Sequence, residues 1–475
     1  MILVCVLDGL RPDLLTRERM PFLAALADED SVCRPMFSSF PSSTRVSAST
    51  MATGCYPAKH GMVDNSIWLE GILGGRVVGD DWETIALSMK RISEPVLSAP
   101  SVATLLHRHG FSVATLGAGS TGTTHLVDPA CAGPVVHWTS AWPRHVLRGV
   151  VKELGGFPSK DSSGLAKSEY VLEAAIRYVL PVHRPDVLII WLTEPDDSFH
   201  LHGLSSERTV ENMRTLDELI RRFLASLESL VGDASLTSLF LSDHGMSTVV
   251  GVVDVAAELE KAGFAPGSRI HLAANSIWCP GKQHAAVLGL ADFLRDQAWI
   301  GALCGKESYV NELPWLIPNS AVFAAHPRAA DLMFSFSWDR ESAAGGVPGR
   351  ITGSGETVAD HGTASPYDMK GFLLARGAGV IAGARPALPT GLVDIAPTIL
   401  HMLGVPPPEN MDGRVLTELL RSTHAESWEH THPTLRFGDA FGGDCPVQEV
   451  ALQIVGTTAY LEHAGFLQQN AEGEA

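Results

Sequence analysis

The chain has 475 residues, room for one large enzyme-sized domain with an insertion or for roughly two to three ordinary ones. Its 35 Lys and Arg against 53 Asp and Glu leave a formal charge of −18, which repels phosphate backbones and anionic lipid and excludes a nucleic-acid duplex or a membrane surface as the expected partner. With 45% hydrophobic and 19% charged residues, it can bury a substantial core and lacks the composition of a disordered chain.

The N-terminus, Met1-Ile-Leu-Val-Cys-Val-Leu-Asp8, has no basic stretch and its short apolar run ends in an acid, so it reads as a buried strand and not as a secretory leader. No apolar run reaches the length of about 18 residues that a membrane span needs. The seven cysteines are odd in number and scattered, without a CxxC pair, which argues against a disulfide framework or a thiolate zinc site. They read as free thiols in a reducing compartment, and the expected location is cytoplasmic.

Short apolar runs bounded by turn residues recur at Ile2 to Leu7, Phe111 to Leu116, Val187 to Leu192, Leu236 to Leu241 and Gly371 to Ala375, as suits strands buried on both faces. Helical spacing with capping residues appears at Ser101 to His109, Ser168 to Leu180 and Glu207 to Val231, and again near Asp394 to Leu403. Strands alternating with helices predict an α/β fold, a mostly parallel sheet sandwiched by helices. From Asp254 to Glu356 the pattern loosens, which predicts an inserted smaller cap subdomain (254–356) in a core formed by 1–253 and 357–430. A C-terminal extension (431–475) reads as a final hairpin and an acidic tail.

In such sheets function gathers beyond the C-terminal ends of the strands. Asp8 follows the first run, Asp196 follows the third after a short loop, and Asp243-His244 follow the fourth. Three carboxylates at one sheet edge need a cation or a shared proton. The segment Thr193-Glu-Pro-Asp196-Asp-Ser-Phe-His200 sets a carboxylate and an imidazole four residues apart, on one face of a helix; taken alone, it equally suits a capping Asp with a surface His. Asp360-His361-Gly is a third imidazole-bearing loop. Thr44 opens a small-residue helix, where a hydroxyl can sit at the positive helix end, although a dense Ser/Thr run also serves as caps and packing. Gly117-Ala-Gly-Ser-Thr-Gly122 fits a dinucleotide fingerprint in letters only, since neither an evident amphipathic helix nor an acid about 20 residues on accompanies it.

Read in order, Asp8, Thr44, Asp196-x-x-x-His200, Asp243-His244 and His361-Gly resemble the alkaline phosphatase superfamily, most closely its type I phosphodiesterase / nucleotide pyrophosphatase branch. The resemblance extends to Gly54-x-Tyr-Pro-x-x-His60-Gly and to the segment from Asp394 to Gly404, and spans roughly 1–252 and 357–415. It implies two zinc ions, one held by Asp196, His200 and His361, the other by Asp8, Asp243, His244 and the Thr44 oxygen. Imidazole and carboxylate without thiolate suit zinc, with manganese or iron as alternatives. It further implies attack by Thr44 on phosphorus, a phosphothreonine hydrolysed by a zinc-activated water, and Asn65 donating to a phosphoryl oxygen.

Arg45 and Phe199 depart from the family pattern. Arg45 stands where a base-stacking Phe is usual, which favours a second anionic group on a small phosphoester substrate. Trp191 matches a position often substrate-facing, and core packing explains it equally. Phe199 replaces a Gly before the His ligand. The expected activity is hydrolysis of phosphodiester or pyrophosphate bonds. The alternatives are a phosphonate hydrolase or phosphomonoesterase on the same scaffold and, in another class, a non-catalytic metal-bound binding protein. A homo-oligomer is compatible with all of them.

Overall fold

The run Ile2–Leu7 is apolar throughout because both of its faces are covered. Leu3, Cys5 and Leu7 join one buried cluster, whereas Ile2, Val4 and Val6 join another on the opposite side of the sheet. A computed structural model describes residues 1–467 except 71, 73–75, 80, 233–234, 267–268, 344, 422–427 and 440–444; the acidic tail expected at the end lies outside the described residues.

The main sheet has nine strands in the spatial order Thr390–Gly391, Ser31–Phe37, Lys370–Gly377, Thr237–Leu241, Ile2–Leu7, Val187–Leu192, Val113–Gly117, Val135–His137 and Ser140–Trp142. Its centre is parallel, with Leu7 beside Leu192 and Val6 beside Leu241. The loops that leave these three ends therefore emerge side by side. Lys370–Gly377 runs antiparallel to both of its neighbours.

One face is covered by the helix Glu207–Val231, whose Met213, Leu216, Ile220, Phe223 and Leu227 recur at helical spacing into the core, behind a Ser206 cap that accepts from Thr209 N. The other face is covered by Val102–Arg108 and Ile395–Met402.

The stretch 254–356 builds a five-stranded sheet in the order His271–Ala273, Ser276–Trp278, Leu332–Phe336, Ile300–Gly305, Ile317–Pro318, packed by the helix His284–Arg295. At its root, Ser247–Val252 pairs in parallel with Pro348–Gly353. The C-terminal hairpin Gln448–Val455 and Thr458–Phe466 is fastened to both the insert and the core. The Gln448 side chain accepts from Leu303 N and donates to the Leu303 and Trp315 carbonyls of the insert, and the Tyr460 hydroxyl donates to Asp394 Oδ2 of the core at 2.8 Å. All seven cysteines are free.

Several elements differ from expectation, two of them instructively. The strand Ser31–Phe37 was not expected, because it carries Pro35; the register shift opposite Gly371–Leu373 absorbs the missing donor. The expected helix at Ser168 to Leu180 is an α-helix Gly164–Ala174 that widens into a π-turn at Ala175–Val179 before Leu180–His183. Pro181 cannot donate to the preceding turn, and a wider turn accommodates it. A helix Thr121–Val127 does follow the Gly117–Gly122 loop, and it is only seven residues long.

Candidate active site

The three neighbouring strand ends deliver Asp8, Asp196 and Asp243 to one spot, all buried. Asp196 begins the helix Asp196–His202, so one helical turn brings His200 Nε2 to 3.4 Å from Asp196 Oδ2. His244 Nε2 lies 3.3 Å from Asp8 Oδ1 and 3.1 Å from Asp243 Oδ2. His361, from the loop that returns out of the insert, stacks on the His244 ring at 3.8 Å and points Nε2 at Asp196 Oδ1, 3.8 Å away. Thr44 is the first residue of the helix Thr44–Thr53, and its Oγ1 is 3.2 Å from His244 Nε2. Among the described residues, two groups bring ligand atoms within 4.8 Å of one another: Asp196, His200 and His361, and Asp8, Asp196 and His244. Asp196 belongs to both.

Metal ions suit this cluster on two grounds. Each imidazole has Nδ1 at a backbone carbonyl 2.8 Å away: Ala359 for His200, Gly245 for His244 and Ser42 for His361. Donation there fixes the tautomer that leaves Nε2 as a bare acceptor facing the carboxylates, the arrangement metal-ligating histidines adopt. In addition, Asp8 Oδ1, Asp196 Oδ1 and Asp243 Oδ2 are buried and accept no hydrogen bond, and unpaired buried oxygens of that kind are expensive unless a cation faces them.

The buried groups of the cluster also act on one another's titration. Burial, followed by the charges of Asp243 and Asp196, pushes Asp8 well above the carboxylate range against the opposing Trp191 bond. Burial raises Asp243 also, opposed by His244 and by the Gly9 N–H. Burial would raise Asp196 too, but the imidazoles of His200, His361 and His244 outweigh it and hold that carboxyl below its ordinary value. His200, which burial alone would lower, is carried up to about 10 by Asp196. Burial and the neighbouring His244 drive His361 well below the usual imidazole range.

The groups around the ligands are set with similar care. Asn65 Oδ1 accepts the Arg45 N–H at the start of the Thr44 helix, 3.1 Å away; that bond orients the amide and leaves Nδ2 as the donor end. The Arg45 guanidinium lies along the same loop, with Nη1 3.5 Å from the Asn65 carbonyl. Trp191 corrects the expectation of a substrate-facing ring: it is 1% exposed in the core, and its Nε1 donates to Asp8 Oδ2 at 2.9 Å. It orients the Asp8 carboxylate.

Sequence reasoning missed Asp64, Asn275 and Ser276. Asp64 is fully buried and accepts from Asn65 N and Ser276 Oγ, each at 2.6 Å. Asn275 Nδ2 donates to the Gly362 carbonyl at 3.1 Å, beside His361. The only signal in the sequence was Asp64 preceding Asn65, since the insert residues lie more than 200 positions away from it.

Known proteins resemble this chain in sequence and in fold. The profile of type I phosphodiesterase / nucleotide pyrophosphatase matches residues 2–362. Ectonucleotide pyrophosphatase/phosphodiesterase family member 1 of Mus musculus is 24% identical over 245 residues, 50% of this chain and 23% of that protein, and the Rattus norvegicus protein matches equally; the match thus spans less than a quarter of these relatives' length. Among solved structures, the alkaline phosphatase PafA superposes with a TM-score of 0.70 at 16% identity, covering 88% of this chain and 98% of that one. Murine ectonucleotide pyrophosphatase / phosphodiesterase 5 gives 0.60 at 16% identity, covering 86% and 97%. These likenesses establish an alkaline-phosphatase-like fold, and with a profile that matches most of its length the chain belongs to the type I phosphodiesterase / nucleotide pyrophosphatase family of hydrolases.

Proposed function

We propose that the protein is a two-metal hydrolase of phosphodiester or pyrophosphate bonds that works through a phosphothreonine at Thr44. The observation that carries the reading is the Thr44 hydroxyl, set at a helix N-terminus 3.2 Å from His244 Nε2 and one residue from the amide that holds Asn65. Asp196, His200 and His361 would hold one ion, and Asp8, Asp243 and His244, with Thr44, the other. Zinc held there would supply charge neutralisation for the phosphoryl oxygens and would lower the pKa of the hydroxyl. Thr44 Oγ1 attacks phosphorus in line, so that its bond to phosphorus forms as the bond to the leaving oxygen breaks. A water then attacks the phosphothreonine from the vacated side and restores the hydroxyl. Asn65 Nδ2 donates to a non-bridging oxygen whose charge grows in the transition state, and the N–H groups opening the Thr44 helix add their positive field.

The test is Thr44→Ala. Hydrolysis of bis-p-nitrophenyl phosphate by the metal-replete protein should fall by roughly 10³-fold or more, and a variant that keeps its turnover would end the reading. Asn65→Ala should lower kcat by about 10² to 10³ with little change in KM.

A second reading, phosphonate or phosphomonoester hydrolysis, is favoured by the Arg45 guanidinium beside the Asn65 loop, which suits a dianionic or carboxylate-bearing substrate. Comparing a diester, a monoester and phosphonoacetate on wild type and Arg45→Ala separates the two. Selective loss on the latter substrates supports the second reading, and equal rates on Arg45→Ala remove it.

A further inference from the structure

The insert meets the reaction centre at a tight turn, and both sides of that turn are committed. Ala273 and Ser276 pair across the hairpin of His271–Ala273 and Ser276–Trp278, with Ala274 held at φ +46°, a left-handed conformation that a non-glycine residue keeps only where its surroundings over-determine it. On one side Ser276 Oγ donates to Asp64 Oδ2, and the Asn275 N–H faces the same carboxylate. Asp64 Oδ1 accepts the backbone N–H of Asn65. On the other side Asn275 Nδ2 donates to the Gly362 carbonyl. Gly362 stands at φ +100° and donates its own N–H to Ser42 Oγ, while His361 Nδ1 meets the Ser42 carbonyl. The turn is tied back to its own sheet by Phe334 N donating to the Asn275 carbonyl.

We propose that the turn Ala274–Asn275–Ser276 is a positioning element of the reaction centre, which aims Asn65 through Asp64 and fixes the His361 loop through Gly362. The proposal rests on the phosphoryl-transfer reading of the site. It gives the insert a task in the chemistry itself, beyond shaping an entrance. Asn65 acts on charge that appears in the transition state, so loosening its backbone costs kcat and spares KM. His361 acts as a ligand, so loosening its loop costs metal affinity. The two sides of one turn therefore carry separable signatures.

The experiment uses the full chain with Ser276→Ala, Ser276→Thr, Asn275→Ala and, as an insert control, the exposed Glu260→Gln. Ser276→Ala is expected to lower kcat on bis-p-nitrophenyl phosphate about 10-fold, with KM within twofold and zinc affinity unchanged; Ser276→Thr, which keeps the hydroxyl, should restore most of the rate. Asn275→Ala is expected to weaken zinc binding about 10-fold, read on the metal-stripped protein by competition with a chromophoric chelator, with kcat largely recovered at saturating zinc. Glu260→Gln should match wild type in every readout. Wild-type kcat and zinc affinity in both Ser276→Ala and Asn275→Ala would overturn the proposal, as would an equal loss in Ser276→Ala and Ser276→Thr. The zinc competition needs no turnover, so it judges Asn275 even if Ser276→Ala fails to fold or Thr44→Ala remains active. Loss of activity in Thr44→Ala alongside silent turn variants refutes this inference and leaves the parent reading standing.

Discussion

Trp191 fills the core with its ring and spends its one polar atom on Asp8 Oδ2. Trp191→Phe keeps most of the apolar volume and removes the donor, which leaves a buried carboxylate oxygen without its partner. Zinc affinity should fall by about 10 to 100-fold, measured by chelator competition, with a smaller effect on the melting temperature. His60 is a different kind of residue, fully buried and neutral. Its Nδ1 accepts from Met62 N and its Nε2 meets Thr50 Oγ1, which ties the Asn65 loop to the Thr44 helix. Burial, aided by His326 and Arg328, lowers its pKa to about 3 from 6.5. Between those values the unfolded chain binds a proton that the folded chain refuses, so the stability this imidazole contributes is present above about pH 6.5 and is lost as pH falls. His60→Gln should be less stable at pH 7, and its melting temperature should decline less than that of wild type between pH 6.5 and 4. At this scale the positions of Asp8, Thr44, Asp196, Asp243 and His244 beside one another were legible, because each sits at a strand end or helix start marked by its own neighbours. Trp191 was ambiguous because an apolar run does not reveal which strand residue faces a carboxylate on the adjacent strand. Asp64 and Asn275 were invisible because their meeting depends on how the insert folds back.

The helix Thr44–Thr53 presents Thr44 at one end and stops at Gly54, where φ is +65° and an added Cβ would lie 3.0 Å from Met411 Sδ and 3.1 Å from Pro397 Cδ. Gly54→Ala should cost about 1–2 kcal/mol of stability, seen as a lower midpoint in urea. Thr44, the proposed nucleophile, lies at the far end of the helix, so kcat should stay within a few-fold. The central strands and the long helix Glu207–Val231 read directly from the sequence because burial on two faces, or on one stripe, leaves an unmistakable period. Ser31–Phe37 escaped because Arg34 and Pro35 interrupt its apolar run. The insert's strands escaped because those of two or three residues, such as His271–Ala273 and Ile317–Pro318, are too short to show alternation.

Over the whole molecule the C-terminal hairpin acts as a strap. Gln448 satisfies three backbone groups of the insert, and Gln448→Ala should cost about 2–3 kcal/mol by leaving them buried and unpaired, measurable as a lowered urea midpoint. Tyr460 belongs to the core network of Asp394, Arg414 and Glu418, so its hydroxyl anchors the same hairpin at the opposite end. The sequence hinted at a final hairpin and gave no sign of where it docks, since the glutamine and tyrosine look like ordinary strand residues until their partners are known. Fastened at both ends, this strap denies the molecule a hinge: swinging the insert away from the sheet would tear out Gln448 or Tyr460. Insert and core are therefore expected to stay together through a catalytic cycle, and added viscogen should slow hydrolysis of bis-p-nitrophenyl phosphate only as far as it slows diffusional encounter.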